Sequence, residues 1–197
     1  PAAAGQLALA SAELEQRLAS LPEQTRWVSG QLRAQLDFVT QQVKQLEQRL
    51  EELIEVSPAM QWLMSLPGVA VILAATIALE IGEVERFASA PRLASYAGTT
   101  PRVHASGDRV RYGRTRPDVN RYLKWAFAEA ANSVAVNSKR CPDRHVSRLY
   151  QRLRQRKGHS KAIGAVARHL AEAAFHVLSR QQGYREPTAA PGRTREV

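Results

Sequence analysis

The sequence predicts an essentially all-α protein in which a long coiled-coil helix precedes a compact helical domain. Apolar residues recur every seven positions from Leu18 to Leu53, and a second set is interleaved in steps of three and four, which is the coiled-coil period. From Pro58 onwards, apolar stretches of helical length are separated by Pro and Gly. Only residues 99–116 combine Pro and Gly with alternating apolar residues, and they predict an irregular loop or a short hairpin.

The heptad region divides into two helices at Pro22, one over residues 5–19 and one over residues 22–56, with Ser20 as the expected N-cap of the second. Its two-sided apolar seam needs a partner. That partner is either another copy of the chain, as a dimer or a tetramer, or the protein's own second domain. The seam comprises Leu18, Thr25, Leu32, Leu36, Val39, Val43, Leu46, Leu50 and Leu53.

Charge is distributed unevenly along the 197 residues, which carry a formal net charge of +10. Residues 1–85 hold 5 basic and 11 acidic side chains, whereas residues 86–197 hold 23 basic and 7 acidic ones. The basic half therefore predicts a polyanionic partner. A single cysteine, Cys141, excludes intramolecular disulfides and cysteine-rich zinc sites. The longest apolar run, Leu66 to Leu79, is shorter than the roughly 20 residues of a membrane span, so no membrane partner is expected.

Composition divides the chain into three segments. Residues 1–57 form the association segment, residues 58–182 a helical domain, and residues 183–197 a tail whose Pro, Gly and Arg content is typical of disorder. Within the domain, helices are expected over 71–81, 91–96, 117–138, 142–157 and 160–179. Because the chain begins with Pro and not Met, we expect it to be a piece of a longer protein.

The first candidate binding element is the turn formed by Pro67, Gly68, Val69 and Ala70 between two helices. A tight Pro-Gly turn that directs backbone N–H groups from a helix N-terminus can bind a phosphate, and the arrangement resembles the hairpin of helix-hairpin-helix DNA-binding motifs. The match departs at Ala70, where those motifs usually have a second glycine. Leu-Pro-Gly is also a common way to end a helix, and that alternative stays open.

The second candidate lies in residues 102–116, where five arginines occur within 15 residues. Arginine contacts phosphate through two N–H groups at once, so this cluster predicts salt-dependent nucleic-acid binding. Ser106 lies among the arginines, and Gly107 after it would allow a phosphate to approach the hydroxyl; Ser-Gly is also an ordinary turn dipeptide. His104 and Asp108 flank this pair as candidate acid, base or metal ligands, although solvated loop positions are the simpler interpretation. The arginines are Arg102, Arg109, Arg111, Arg114 and Arg116.

Three further groups have both a structural and a functional interpretation. His169, Glu172 and His176 could share one helix face and a metal, but packing or solvent contact is the favoured prediction. A basic helix with one acidic residue, Asp143, favours nucleic-acid contact over a merely solvated face; its basic residues are Arg140, Arg144, Arg148, Arg152 and Lys157. The aromatic residues Trp62, Tyr122 and Trp125 are expected in the core in preference to a base-stacking role.

Several segments resemble, in order and spacing, the C-terminal transposase domain of the insertion-sequence 110/1111 family. The resemblance spans about Met60 to Leu178, and the preceding coiled coil fits the same family. It also covers the run Arg154 to Ile163 and the Ala-rich helix after it. The segments before that run are Leu66-Pro-Gly-Val-Ala70, Glu80-Ile-Gly-Glu-Val-Glu-Arg-Phe87, Pro91-Arg-Leu-Ala-Ser-Tyr-Ala-Gly98, Thr100-Pro-Arg102, Ala105-Ser-Gly107 and Asn120-Arg-Tyr-Leu-Lys124.

The resemblance implies a DNA recombinase guided by a structured bridge RNA. Full-length members join a RuvC-like domain, with an Asp-Glu-Asp-Asp magnesium site, to a C-terminal domain whose serine becomes linked to a DNA phosphate. That serine corresponds to Ser106. The family segments also contribute expected nucleic-acid contacts at Arg121, Lys124, Arg154, Lys157 and Lys161.

No Asp-Glu-Asp-Asp domain precedes the coiled coil in this sequence. We therefore expect a DNA-binding part of a transposase that cannot recombine alone, with no cofactor in this chain and magnesium in the missing domain. We also expect a bacterial cytoplasmic, nucleoid-associated protein. The alternative is a non-catalytic coiled-coil scaffold that binds nucleic acid.

Overall fold

The computed structural model describes residues 16–106, 109–115 and 117–187. The chain divides into two compact units, Pro1–Leu53 and Ile54–Val197. The first part of the predicted short helix, residues 5–15, lies outside the described residues, and residues 16–19 are helical. The mainly helical fold class is confirmed, because helices account for most of the described chain.

Helix α1 (Glu23–Leu53) is the predicted long helix, and it ends three residues earlier than expected. It begins directly after Pro22, whose carbonyl accepts the Arg26 N–H at 2.8 Å. The Ser20 hydroxyl donates to the carbonyl of Arg17 at 2.7 Å and so belongs to the preceding turn. None of the residues of α1 is buried, so its apolar seam is exposed along the whole helix.

The described residues of the second unit form six helices, a 3-10 turn and one hairpin. In chain order they are α2 (Pro58–Met64), α3 (Val71–Ile81), the 3-10 turn Val84–Arg86, α4 (Ala90–Tyr96), strands β1 (Pro101–Ser106) and β2 (Arg109–Thr115), α5 (Arg121–Asn137), α6 (His145–Lys157) and α7 (His159–Arg180). Within the part of the chain that the structure describes, no helix is both long enough and apolar enough to span a bilayer.

Helix α7 is the centre of the second unit and packs against α2, α4, α5 and α6. Small alanine side chains let these helices approach closely, and the larger residues between them fill the remaining space. Helix α7 begins after Gly158. This glycine has a positive φ of 83°, so the chain changes direction between α6 and α7. The buried residues of α7 are Ala162, Val166, Ala167, Leu170, Ala171, Ala174, Val177 and Leu178.

The turn between α2 and α3 is fixed by a close approach of two backbones. Gly68 has a φ of +81°, and a Cβ atom there would overlap the carbonyl oxygen of Ala130 in α5. Only glycine fits this position without strain. Pro67 and Val69 are buried on either side, and the Val69 N–H donates to the carbonyl of Leu66 at 3.2 Å. Two helices joined by a short turn are present as expected, while the helix-hairpin-helix assignment stays a prediction.

Strands β1 and β2 form a two-stranded antiparallel hairpin, which is one of the two structures predicted for residues 99–116. Val103 pairs with Tyr112 and Pro101 with Thr115, so β2 carries one extra residue between these pairs. This bulge lies opposite Arg102. Among the described residues, the strands contact each other far more extensively than they contact any helix.

Helix α5 begins at Arg121, four residues later than the predicted start at Pro117. The reason is Asn120, whose side-chain oxygen accepts the Leu123 N–H at 2.9 Å and so caps the helix. Asp118 therefore lies before the helix and not in its first turn.

Candidate nucleic-acid interface

The foot of the hairpin is attached to the helical domain at the end of α4. The chain leaves α4 through Gly98, where a Cβ atom would lie 2.7 Å from Val119 Cγ2 and 3.3 Å from Lys124 Cδ. The Thr99 N–H and hydroxyl both donate to the carbonyl of Ala94, at 3.1 and 2.9 Å. The chain returns at Asn120, whose N–H donates to the carbonyl of Tyr96 at 2.9 Å. The two arms are thus held together at their base.

Asn120 contributes its side chain to the same attachment. Besides capping α5, its amide nitrogen donates to Glu80 Oε2 at 2.5 Å and to the Tyr96 hydroxyl at 3.4 Å. The Arg86 guanidinium lies 4.6 Å from the ring centre of Phe87 and 5.0 Å from that of Tyr96. The hydrogen bond from Asn120, followed by that from Arg86, lowers the pKa of Tyr96.

We call Glu80, Arg86, Tyr96 and Asn120 the clamp. Sequence reasoning did not assign a role to any of these side chains individually, although all four lie in the family-like segments. The one signal that was available is the N-cap preference for Asn, which would have placed the start of α5 at Arg121.

Ser106 is the last residue of β1, and its backbone pairs with that of Arg109, the first residue of β2. Arg111 pairs with His104, Arg102 is exposed at the bulge, and Arg114 lies in β2. Gly107, Asp108 and Arg116 lie outside the described residues. The backbone therefore brings Ser106 and the hairpin arginines onto one two-stranded element.

The Pro67–Ala70 turn borders a groove of about 590 Å³. Pro67 and Val69 are buried, so of the four predicted contacts only Gly68 and Ala70 are accessible. No side chain caps the N-terminus of α3 at Ala70, which leaves backbone N–H groups of its first turn as the donors that a phosphate would use. Arg144 and Ser133 also line this groove.

Residues 183–187, which composition assigned to a disordered tail, lie against the helical domain. The Tyr184 N–H donates to Ser65 Oγ at 2.6 Å, and Glu186 Oε2 accepts the His145 N–H at 2.8 Å. The Tyr184 hydroxyl is buried without a hydrogen-bond partner among the described residues. Its burial, and secondarily the charge of Glu186, raises the pKa of Tyr184 to about 12. The folded unit thus extends to at least Pro187.

Basic side chains are exposed along α6 and into the start of α7. The Tyr150 hydroxyl and His159 Nδ1, 2.9 Å apart, connect the two helices across Gly158. The guanidinium of Arg148 donates to the carbonyl of Asp143. The exposed basic residues of this surface are Arg140, Arg144, Arg148, Arg152, Arg154, Arg156, Lys157 and Lys161.

On the face of α7 that carries His169, Glu172 and His176, His169 packs and Glu172 pairs, whereas His176 is exposed, which agrees with the favoured prediction of packing or solvent contact. The His169 ring lies 4.9 Å from that of His145, and Glu172 accepts a hydrogen bond from Arg168 at 2.9 Å. Burial, followed by the proximity of His145, lowers the pKa of His169. Within the described residues no group of three or more His, Cys, Asp or Glu side chains could hold a metal ion.

The core prediction is wrong for two of the three aromatic residues. Trp62 is half-buried and packs against the core, but Tyr122 is 66% and Trp125 46% exposed. The reason is that Leu123, Phe127 and the alanines of α5 already fill its inner face.

The second unit is therefore a basic helical domain that presents an arginine-rich hairpin. Residues 60–150, from α2 into α6, match the model of the transposase IS116/IS110/IS902 family. The matched region includes the Pro67–Ala70 turn, the clamp and the whole hairpin. Residues 60–150 of this chain are thus a domain of this transposase family.

Individual relatives agree with the family match. The chain is 32% identical over 169 residues to an uncharacterized protein of insertion element IS110 from Streptomyces coelicolor, covering 81% of this chain and 40% of the relative. It is 26% identical over 140 residues to the transposase for insertion sequence element IS1111A of Coxiella burnetii, covering 71% and 38%. An uncharacterized protein of insertion element IS116 from Streptomyces clavuligerus is 24% identical over 144 residues, covering 73% and 35%. The chain thus spans about two fifths of the length of these relatives.

The contacts of the clamp predict that loss of the Asn120 side chain lowers the stability of the domain. Asn120→Ala removes the cap of α5 and the bonds to Glu80 and Tyr96, and should lower the free energy of unfolding by about 1–3 kcal/mol. Urea unfolding followed by circular dichroism measures the change. Asn132→Ala, an exposed position on the same helix, is the matched control and should change stability by less than about 0.5 kcal/mol. Equal effects of the two substitutions would contradict the role given to Asn120.

Proposed function

We propose that this chain is the DNA-binding, serine-carrying part of a transposase that cuts and exchanges DNA strands. The observation that supports it best is the family match over the hairpin, in which Ser106 and four described arginines lie on two paired strands. A domain with 23 basic and 7 acidic residues from Arg86 onwards suits a polyanion such as DNA.

The proposed chemistry is nucleophilic substitution at phosphorus. The Ser106 Oγ forms a bond to the phosphorus of a DNA phosphodiester, and the bond to one deoxyribose oxygen breaks. The departing oxygen leaves as a hydroxyl with the proton that the serine gives up through a base. The phosphodiester is conserved in the serine-linked strand, so a second strand end can later displace the serine without an external energy source. Arginines stabilise the charge that develops on the phosphoryl oxygens.

Two surfaces would hold the DNA around this serine. The hairpin arginines contact the phosphates nearest Ser106, and the accessible backbone of Gly68 and Ala70 binds a phosphate at the start of α3. Further contacts come from the start of α5 and from the junction of α6 and α7. The proposed contacts comprise Gly68, Ala70, Arg102, Gly107, Arg109, Arg111, Arg114, Arg116, Arg121, Lys124, Arg154, Lys157 and Lys161.

Recombination would require a metal-binding domain and a guide RNA in addition to this chain. We propose, from the family resemblance, that any magnesium-dependent step belongs to a separate RuvC-like domain. We propose that the chain does not recombine DNA alone, and that a structured bridge RNA chooses the DNA sites, because phosphate contacts carry no base sequence. The protein would act on DNA at the bacterial nucleoid.

Ser106→Ala tests the assignment of the nucleophile in the protein that joins this chain to its metal domain. The substitution should abolish the covalent protein–DNA adduct, seen as a band shift under denaturing conditions, because no oxygen is left to attack. Affinity for duplex DNA should stay within about twofold, since a serine hydroxyl contributes little to phosphate binding compared with arginines.

Ser179→Ala, at an exposed serine near the end of α7, is the control and should leave the adduct unchanged. An adduct that persists in Ser106→Ala would contradict this assignment. It would favour the alternative function, a non-catalytic nucleic-acid-binding scaffold.

We further propose that α1 associates with a second copy of the chain, as a dimer or a tetramer. Its seam residues Leu32, Leu36, Val39, Leu46 and Leu53 are each 54–66% exposed. They recur at the spacing that knobs-into-holes packing requires. Such a continuous apolar stripe is stable in water when another helix covers it.

Association through the seam can be tested by placing charged side chains in it. Val39→Lys combined with Leu46→Lys places ammonium groups at two seam positions and should make the chain monomeric at micromolar concentration in sedimentation velocity. Phe38→Lys, at an equally exposed apolar residue outside the seam, should leave association intact. A monomeric wild-type chain, or a double variant that still associates, would disprove the proposal.

A further inference from the structure

We infer that Tyr122 and Trp125 form a stacking platform for the bases of an unpaired nucleic-acid strand. The inference rests on the proposed function, because it specifies one form of nucleic acid that the domain holds.

The two aromatic side chains lie on the solvent side of α5. Tyr122 is 66% exposed and Trp125 46% exposed, and the two are three positions apart, which places them next to each other on one helix face. Leu123, Phe127 and Ala130 on the opposite side are fully buried. The interior of the domain is therefore complete without the two rings.

The surroundings of the rings are basic. Arg121 and Lys124 are exposed in the same first two turns of the helix, and Arg121 lies four residues before Trp125. Lys124 reaches back to the hairpin foot, since its Cδ would be 3.3 Å from a Cβ at Gly98. The platform thus begins where the arginine-rich hairpin joins the domain, and a strand bound along the hairpin could continue onto it.

This combination of charge and aromatic surface fits single-stranded nucleic acid. Proteins that bind unpaired strands place aromatic rings for successive bases beside cationic groups for the backbone. A duplex presents no free base faces to such rings, because its bases stack on one another. A protein partner would instead need a broad apolar patch, whereas here a basic residue directly precedes each ring, Arg121 before Tyr122 and Lys124 before Trp125.

Two acidic residues border the platform, and Glu129 lies on the same helix face as Trp125, four residues after it. Asp118 precedes the helix, and Glu129 lies one turn beyond Trp125, towards the C-terminal half of α5. The acidic residues therefore lie to either side of the platform along the chain. Arg121 and Lys124 alternate with the two aromatic residues and are the charges closest to them in sequence.

The experiment measures binding by the whole chain to two labelled probes, a single-stranded oligothymidine of twelve nucleotides and a duplex of twelve base pairs, by fluorescence anisotropy. Tyr122→Ala combined with Trp125→Ala should weaken binding to the single strand by at least about fivefold, which is the lower range for loss of a base–aromatic stack. Binding to the duplex should change by less than about twofold. Tryptophan fluorescence of the wild-type chain should be partly quenched by the single strand, and this quenching should be absent in the double alanine variant.

Two control variants separate stacking from folding and from general hydrophobicity. Tyr122→Phe combined with Trp125→Phe keeps aromatic faces and should retain most of the single-strand affinity. Val136→Ala changes another exposed apolar residue of α5, 79% exposed and about 16 Å further along the helix, and should leave both affinities unchanged. The unfolding temperature of each variant should lie within a few degrees of that of the wild-type chain, because the substituted side chains are exposed. This result would show that the variants are folded.

Three results would overturn the inference. The first is a double alanine variant that binds the single strand as tightly as wild type, while the wild type binds duplex. The second is an equal loss for both probes, which would indicate a general electrostatic or folding effect. The third is altered self-association with unchanged single-strand binding, which would make the platform a protein interface. A wild-type chain that binds neither probe would instead refute the proposed function itself.

Discussion

The hydrogen bonds of Asn120 are the interaction on which the position of the hairpin depends. A two-stranded hairpin is only marginally stable in water, and this one makes its main contacts within itself. Its orientation must therefore be set at its base. Asn120 binds the Tyr96 carbonyl through its N–H, and Glu80 and the Tyr96 hydroxyl through its amide nitrogen. Because the same side chain caps α5, the exit of the hairpin and the start of the helix are fixed by one residue.

The domain keeps charged side chains out of its core. Burying a guanidinium without a partner costs far more free energy than any single packing contact provides. The core accordingly consists of alanine and branched aliphatic residues with few exceptions, of which Ser138 and Ser147 are the buried polar ones among the described residues. Many of the basic residues lie instead in the hairpin, in α6 and at the start of α7. That separation lets one small fold combine a rigid interior with a strongly cationic exterior.

Features set by periodicity were predictable from the sequence. The heptads that predict α1 depend on local spacing, and so do the Pro and Gly residues that end the helices of the second unit. The long helix and the shorter helices are both present in the structure. The hairpin was one of two alternatives, because short alternating segments with Gly and Pro are compatible with either a loop or paired strands. The arginine cluster was likewise predictable, because the charged residues in a segment can be counted without knowledge of the fold.

Features set by long-range contacts were not predictable in the same way. The clamp joins Glu80 to Asn120 across 40 positions, and no local pattern encodes that pair. Tyr122 and Trp125 were expected in the core because large aromatics usually bury, but the space on the inner face of α5 is taken by Leu123 and Phe127. The contact of Tyr184 with Ser65 similarly spans the whole domain. Composition of residues 183–187 therefore gave no sign that they would pack.

The central claim is that the hairpin arginines bind DNA phosphates, and the salt dependence of duplex binding by this chain tests it most directly. Each phosphate contact contributes about 0.9 to the slope of log K against log salt concentration. Replacing Arg102, Arg109 and Arg111 with Gln should reduce that slope by about 2 to 3. The same replacement of Arg26, Arg33 and Arg49 on α1 should leave it unchanged. A hairpin variant that keeps the wild-type slope would contradict the account.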